Sequence, residues 1–89
     1  MTDIVLIVAP TKCSKCDACR RMCAEIEERF PGEIQVRIFD TDAPECASYG
    51  VVLPPTMAVN DFIVAAGSVP RKDAVLKLVE QQVGGGSHG

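Results

Sequence analysis

The chain has 89 residues, which leaves room for one small domain. Its 47% hydrophobic and 24% charged residues exclude a wholly disordered chain, and its net charge of −3 argues against a nucleic-acid partner. No apolar run reaches the roughly 18 residues of a membrane span, and the first one, Ile4–Ala9, follows an acidic residue rather than a basic segment. We therefore expect no signal peptide, no membrane partner and a cytoplasmic location.

The first part of the chain predicts a strand, a helix and a second strand. Residues 3–9 form a continuous apolar run, which is typical of a strand that is buried on both faces. Residues 14–30 place their apolar side chains on one stripe with helical period, and Pro31–Gly32 ends that helix. Apolar and polar residues alternate over 33–39, which predicts a strand with one better-buried face.

The next segments predict a short helix and a β-hairpin. The short helix covers residues 45–49 and is closed by Gly50. The strands of the hairpin cover residues 56–59 and 62–66. Asn60–Asp61 lies between these two apolar runs and is typical of the tight turn that joins hairpin strands.

A last helix completes the predicted domain. Ser68 is its expected N-cap, and Pro70 is expected in its first turn. Its core face consists of Val75, Leu76, Val79 and Val83. Residues 84–89 are rich in glycine and lack apolar side chains, so they predict a flexible tail after a domain that spans residues 1–83.

These elements predict an α/β fold with the order β-α-β-α-β-β-α. The initial β-α-β unit implies two parallel strands with a right-handed crossover. The hairpin adds an antiparallel pair. We therefore expect a mixed four-stranded sheet flanked by helices.

The cysteines are the main functional signal. Four of the five lie within eleven residues, namely Cys13, Cys16, Cys19 and Cys23. An odd number prevents complete internal pairing, and the clustering favours redox chemistry or metal binding over a secreted disulfide framework. Cys13 and Cys16 form a Cys-x-x-Cys motif at the start of a helix, where the helix dipole and the positive charges of Lys12 and Lys15 favour a thiolate on Cys13.

Metal binding is the alternative interpretation of the same cluster. The spacing of the four cysteines matches a bacterial iron–sulfur run, but no proline follows Cys23, and a helix would separate Cys16 and Cys23 by about 10 Å. Cys13, Cys16 and Cys19 also offer three thiolates to Zn(II), Cu(I) or another thiophilic ion. For Cys19 and Cys23 the simpler interpretation is packing in the core as small hydrophobic residues.

The chain resembles the thioredoxin superfamily over residues 3–83. The resemblance rests on the Cys-x-x-Cys motif, on Pro31–Gly32 and the Asp-containing turn that ends at Asp42, and on Pro55 some forty residues after the motif. It implies a minimal thioredoxin-like fold with Pro55 in cis, so that an extended backbone lies beside the dithiol and pairs with a substrate segment. Ile7 stands where the family carries a buried acid.

The resemblance also implies the activity of a thiol–disulfide oxidoreductase that reduces protein or small-molecule disulfides. Cys13 is then the attacking thiol and Cys16 the resolving thiol, while Pro54, Pro55 and Lys12 contact the substrate. No flavin or nicotinamide motif is present in the sequence, so we expect no cofactor and a separate reductase that returns the dithiol to its reduced form. We expect the protein to act as a monomer.

Overall fold

The computed structural model describes residues 2–50 and 53–85. These residues form strands β1 (Thr2–Val8), β2 (Ile34–Asp40), β3 (Thr56–Val59) and β4 (Phe62–Ala66), helices α1 (Ser14–Arg29) and α2 (Lys72–Gly85), and a 3₁₀ helix (Pro44–Tyr49). The predicted order of elements is confirmed, and the short helix between β2 and β3 is of the 3₁₀ type. Neither of the described α-helices is both long and apolar enough to cross a bilayer.

The strands form one mixed sheet in the order β2-β1-β3-β4. β1 runs parallel to β2 and antiparallel to β3, and β3 and β4 form the predicted hairpin. In this register Ile7 pairs with Phe39 on one side and with Thr56 on the other. The α/β fold class with a mixed four-stranded sheet is therefore confirmed.

β1 is buried on both faces, as its continuous apolar run predicts. Each residue from Ile4 to Val8 is at most 2% exposed. The even-numbered members contact the core that both α-helices cover, because successive strand side chains point to opposite faces. The odd-numbered members, Val5 and Ile7, contact Cys46 of the 3₁₀ helix and Ala58 of β3 on the other face.

The hairpin turn has the conformation that its sequence predicts. Asn60 and Asp61 have φ angles of 48° and 68°, and a type I′ turn requires positive φ at both central residues. The Asn60 side chain also accepts a hydrogen bond from the Asp3 N–H at 2.9 Å and donates one to Gln82 at 2.9 Å. The turn is therefore tied to the start of β1 and to α2.

The start of α2 corrects the sequence prediction. The helix begins at Lys72, so Ser68 is not its N-cap and Pro70 precedes its first turn. The physical reason is local: the proline ring disfavours the helical conformation of the preceding residue, Val69, so a helix cannot continue from Ser68 through it.

The core face of α2 lies where the helical period predicts. Val75 and Val79 are buried, and Leu76 and Val83 are partly buried against the same core. α2 continues through Gly84 and Gly85. The rest of the predicted tail, residues 86–89, lies outside the described residues.

Candidate active site

Cys13 is the N-cap of α1. Its backbone is extended, with φ −150° and ψ 111°, and its carbonyl accepts the Asp17 N–H at 3.0 Å. Its sulfur accepts the Cys16 N–H at 3.2 Å. The Cys13 side chain thus satisfies one of the unpaired N–H groups at the helix start, a role that Ser, Thr, Asp or Asn usually fills. A thiolate is a stronger acceptor than a thiol, so this position favours the ionised form.

The pKa of Cys13 is lowered from its ordinary value. The largest cause is a hydrogen bond from the Cys16 thiol, and the second is the bond from the Cys16 backbone N–H. Burial and the negative charge of Asp17 oppose this effect. Because the Cys13 side chain is only half-buried, its sulfur combines thiolate character with access for a substrate.

Cys16 has the opposite character. It is 2% exposed, and burial raises its pKa, as does its hydrogen bond to Cys13, because ionisation of Cys16 would remove the donated proton. A hydrogen bond from the Ala9 backbone and the charge of Arg20 lower the pKa and partly offset the increase. Ile7, at the position of the family's buried acid, is 1% exposed. Cys13 therefore ionises before Cys16.

The extended backbone of Cys13 also separates this pair from the other cysteines of α1. Cβ atoms three or four residues apart in a regular helix are about 5–6 Å from each other, whereas a disulfide requires about 3.5–4.5 Å. Cys16, Cys19 and Cys23 all lie inside the regular helix, but Cys13 does not. The pair of Cys13 and Cys16, called the dithiol below, is therefore the one that can close with little change in α1.

Cys19 and Cys23 are core residues. Their side chains are 0% and 1% exposed and pack in the cluster between α1, α2 and the sheet. Burial raises the pKa of both thiols, and that of Cys23 reaches about 12. Residues 2–50 and 53–85 contain no group of three or more Cys, His, Asp or Glu side chains placed to hold a metal ion.

Cys46 lies on the other face of the sheet. It is 4% exposed, and its thiol donates a hydrogen bond to the Asp40 carbonyl at 3.0 Å. Because the dithiol packs with the cluster on the helix-covered face, Cys46 belongs to a different part of the core.

The segment before β3 lies at the same end of the sheet as the dithiol. Ile7 pairs with Thr56, the residue directly after Pro55, and β1 ends at Val8, from which the chain leads to Cys13. The Pro54–Pro55 bond is cis, and this prediction is confirmed. Pro55 is less than 2% exposed, and its carbonyl accepts the Gly67 N–H at 2.9 Å.

The two prolines change what this segment offers to a substrate. A proline has no N–H to donate, and the Pro55 carbonyl is already bonded to Gly67. The carbonyl of Pro54 is therefore the one backbone group of the pair left for a substrate strand. The substrate pairing that the resemblance implies stays a prediction, and any such pairing with these two prolines would use this acceptor.

The remaining polar groups of the site are side chains. Lys12, a predicted substrate contact, is exposed beside Cys13, and Lys15 is exposed on the first turn of α1. The sequence interpretation did not identify Arg20 or the Ala9 backbone, both of which act on Cys16. The i, i+4 spacing from Cys16 to Arg20 could have indicated the effect of Arg20, whereas no sequence signal indicates the Ala9 contact.

Comparison with known proteins agrees with this geometry. No curated protein sequence matches the chain. Among solved structures, chloroplastic thioredoxin z is 18% identical and superposes with a TM-score of 0.75, covering 96% of this chain and 80% of that chain. Thioredoxin-2 of a malaria parasite is 15% identical, with a TM-score of 0.72, and covers 91% of this chain and 82% of that chain.

Mitochondrial thioredoxin 3 from Saccharomyces cerevisiae, in its oxidised form, is also 15% identical. It superposes with a TM-score of 0.67 and covers 90% of this chain and 77% of that chain. At these identities the structures show a shared fold. The family model described as thioredoxin domain matches residues 3–80, which is most of the chain. The chain therefore belongs to the thioredoxin domain family.

Proposed function

We propose that the protein is a thiol–disulfide oxidoreductase whose redox centre is Cys13 and Cys16. The observation that carries this proposal is the N-cap contact, in which the half-buried Cys13 sulfur accepts the Cys16 N–H at 3.2 Å. It joins an accessible thiol of lowered pKa to a buried thiol of raised pKa. Thiol–disulfide exchange needs this asymmetry, because one sulfur attacks and the other resolves.

The reaction proceeds in two exchanges. The Cys13 thiolate attacks one sulfur of the substrate disulfide, the substrate S–S bond breaks, and the first substrate sulfur leaves as a thiolate. Cys16 then loses its proton and attacks the Cys13 sulfur of the mixed disulfide. The second substrate thiolate leaves, and the Cys13–Cys16 disulfide forms. Two electrons have passed from the dithiol to the substrate, which is released reduced.

A second protein must close the cycle. The Cys13–Cys16 disulfide has to accept two electrons from an external dithiol before the next turnover. We assign this step to a separate reductase, since the sequence contains no flavin or nicotinamide motif. Protein disulfides are the proposed substrates, and Lys12 and the Pro54–Pro55 segment are the proposed contacts with them.

Insulin reduction with dithiothreitol tests the proposal. We expect the wild-type protein to accelerate the precipitation of insulin chains, Cys13→Ser to abolish the acceleration, and Cys16→Ser to accumulate a mixed disulfide through Cys13. Cys19→Ser is the matched control, because Cys19 lies one turn further along α1 and is buried. If Cys19→Ser traps a mixed disulfide and Cys16→Ser does not, the resolving thiol is misassigned. A wild-type protein without activity that retains a bound metal would favour the metal-binding alternative.

A further inference from the structure

The charge of the chain is distributed unevenly around the dithiol. Four of the nine Lys and Arg residues lie between residues 12 and 21, but only one of the twelve Asp and Glu residues does. This segment therefore carries a net charge of +3, while the rest of the chain carries −6. The segment that contains Cys13 and Cys16 is thus positive, although the chain as a whole has a net charge of −3.

Three of these cations are available to a partner. Lys12, Lys15 and Arg20 are exposed, and we call them the basic patch. The ion pairs among residues 2–50 and 53–85 use other cations, namely Arg37, Arg71 and Lys72. The fourth cation of the segment, Arg21, is also exposed, but it lies one turn before Glu25 and helps to lower the pKa of that carboxyl. The cations of the basic patch are therefore not neutralised by ion pairs within the described part of the chain.

The backbone near the dithiol supplies little recognition of its own. Pro54 and Pro55 have no N–H groups, and the Pro55 carbonyl is bonded to Gly67. A substrate strand placed against this segment can donate to one carbonyl but receives no hydrogen bond from it. Side chains must then supply most of the selection, and the basic patch provides the cations nearest the dithiol in the chain. Asp40 also lies at this end of the sheet, where it pairs with Val8, but its carbonyl binds Cys46 of the cluster on the other face.

We propose that the basic patch selects protein disulfides flanked by acidic side chains. This inference rests on the proposed function and adds the substrate class to it. Lys15 and Arg20 are five residues apart on α1, so they are about 7–8 Å apart along its axis and about 140° apart around it. A small disulfide cannot reach both cations, whereas a segment with acidic residues on both sides of its disulfide can. Complementary charge raises the rate of encounter and excludes partners of the same charge.

Two synthetic peptides with the same disulfide ring provide the test. One carries Asp and Glu on both sides of the ring, and the other carries Lys and Arg. Single-turnover reduction by the dithiol form of the protein is measured at about 0.01 M and about 1 M salt, where the screening length falls from about 30 Å to about 3 Å. We expect the acidic peptide to react about tenfold faster at low salt and the difference to vanish at high salt.

Substitution of the basic patch assigns the preference to its residues. In the triple variant Lys12→Gln, Lys15→Gln and Arg20→Gln, we expect the acidic preference to fall below about twofold. Lys77→Gln is the control, since it removes one exposed positive charge from α2. We expect Lys77→Gln to retain the preference. Alkylation with the neutral reagent iodoacetamide measures the intrinsic reactivity of Cys13 in each variant and separates it from recognition.

The outcomes distinguish this inference from the proposed function. Equal rates for the two peptides at low salt, or a preference that the triple variant retains, would overturn the role of the basic patch while leaving the oxidoreductase intact. Faster reduction of glutathione disulfide than of the acidic peptide would also overturn it, because the patch would then serve a small anionic disulfide. Failure to reduce either peptide or insulin would instead refute the proposed function.

Discussion

The packing of α1 predicts that Cys23 is almost inert in the folded protein although it lies only ten residues after Cys13. Burial is the largest cause that raises the pKa of Cys23 from its ordinary value of 9.0 to about 12. At pH 8 this lowers the thiolate fraction from about 10⁻¹ to about 10⁻⁴, a reduction of roughly 1000-fold. The thiolate is the reactive form, so alkylation should slow by at least this factor. Cys13, with a lowered pKa and partial exposure, should react faster than an ordinary thiol.

Timed alkylation with iodoacetamide at pH 8, followed by tryptic digestion and mass spectrometry, measures this difference. Trypsin cleaves after Lys12, Lys15 and Arg21, so Cys13 and Cys23 fall in separate peptides. The same reaction in guanidinium chloride is the control, because unfolding should bring the two rates close together. If Cys23 reacts within tenfold of Cys13 in the folded protein, the thiol is not held in the core and the reasoning from burial is wrong.

Three further predictions concern the dithiol and the core. Cys16→Ala removes the thiol that donates to Cys13, so the pKa of Cys13 should rise toward its ordinary value. Titration of the thiolate absorbance near 240 nm should then show its midpoint at higher pH, and an unchanged midpoint would contradict the role of that hydrogen bond. Ile26→Ala should lower the free energy of unfolding by about 2–5 kcal/mol, whereas Ile38→Ala should cost less than about 1 kcal/mol because Ile38 is 42% exposed; urea titration compares the two. Gly67→Ala should cost about 1–2 kcal/mol in the same assay, since Gly67 has a φ of +79° and an added Cβ would lie 3.3 Å from the Cβ of Leu53; unaltered stability would show that the loop relaxes.

Local sequence patterns predicted those elements whose conformation depends on residues that are adjacent in the sequence. Asn60–Asp61 adopts the positive φ angles of its turn type because Asn and Asp tolerate them and the flanking apolar runs pair. The error at Ser68 had a local cause as well. The sequence Val69–Pro70 already disfavours a helix there, and the prediction gave the N-cap preference of serine more weight than this restriction.

The two prolines before β3 show where resemblance and residue chemistry differ. Resemblance predicted the cis bond of Pro55 correctly. It also implied that this backbone pairs with a substrate, which stays a prediction, and the missing N–H groups limit what the two prolines can contribute to such a pairing. The hydrogen bond from Gly67 to the Pro55 carbonyl appears only in the folded chain, because the two residues are twelve positions apart and meet through the hairpin.

The sequence by itself determined the strands, the hairpin turn, the position of the dithiol at a helix start and the uneven charge around it. These depend on side-chain pattern and on short-range backbone preferences. Only the tertiary structure decided how deeply each residue is buried. It made Cys13 accessible and buried Cys23. It also left Ile38 exposed on the edge strand β2, although Ile34 and Ile38 fall on the same face of that strand and Ile34 is buried. The physical reason is that desolvation and hydrogen bonding depend on groups that approach from distant parts of the chain, and no local pattern specifies those neighbours.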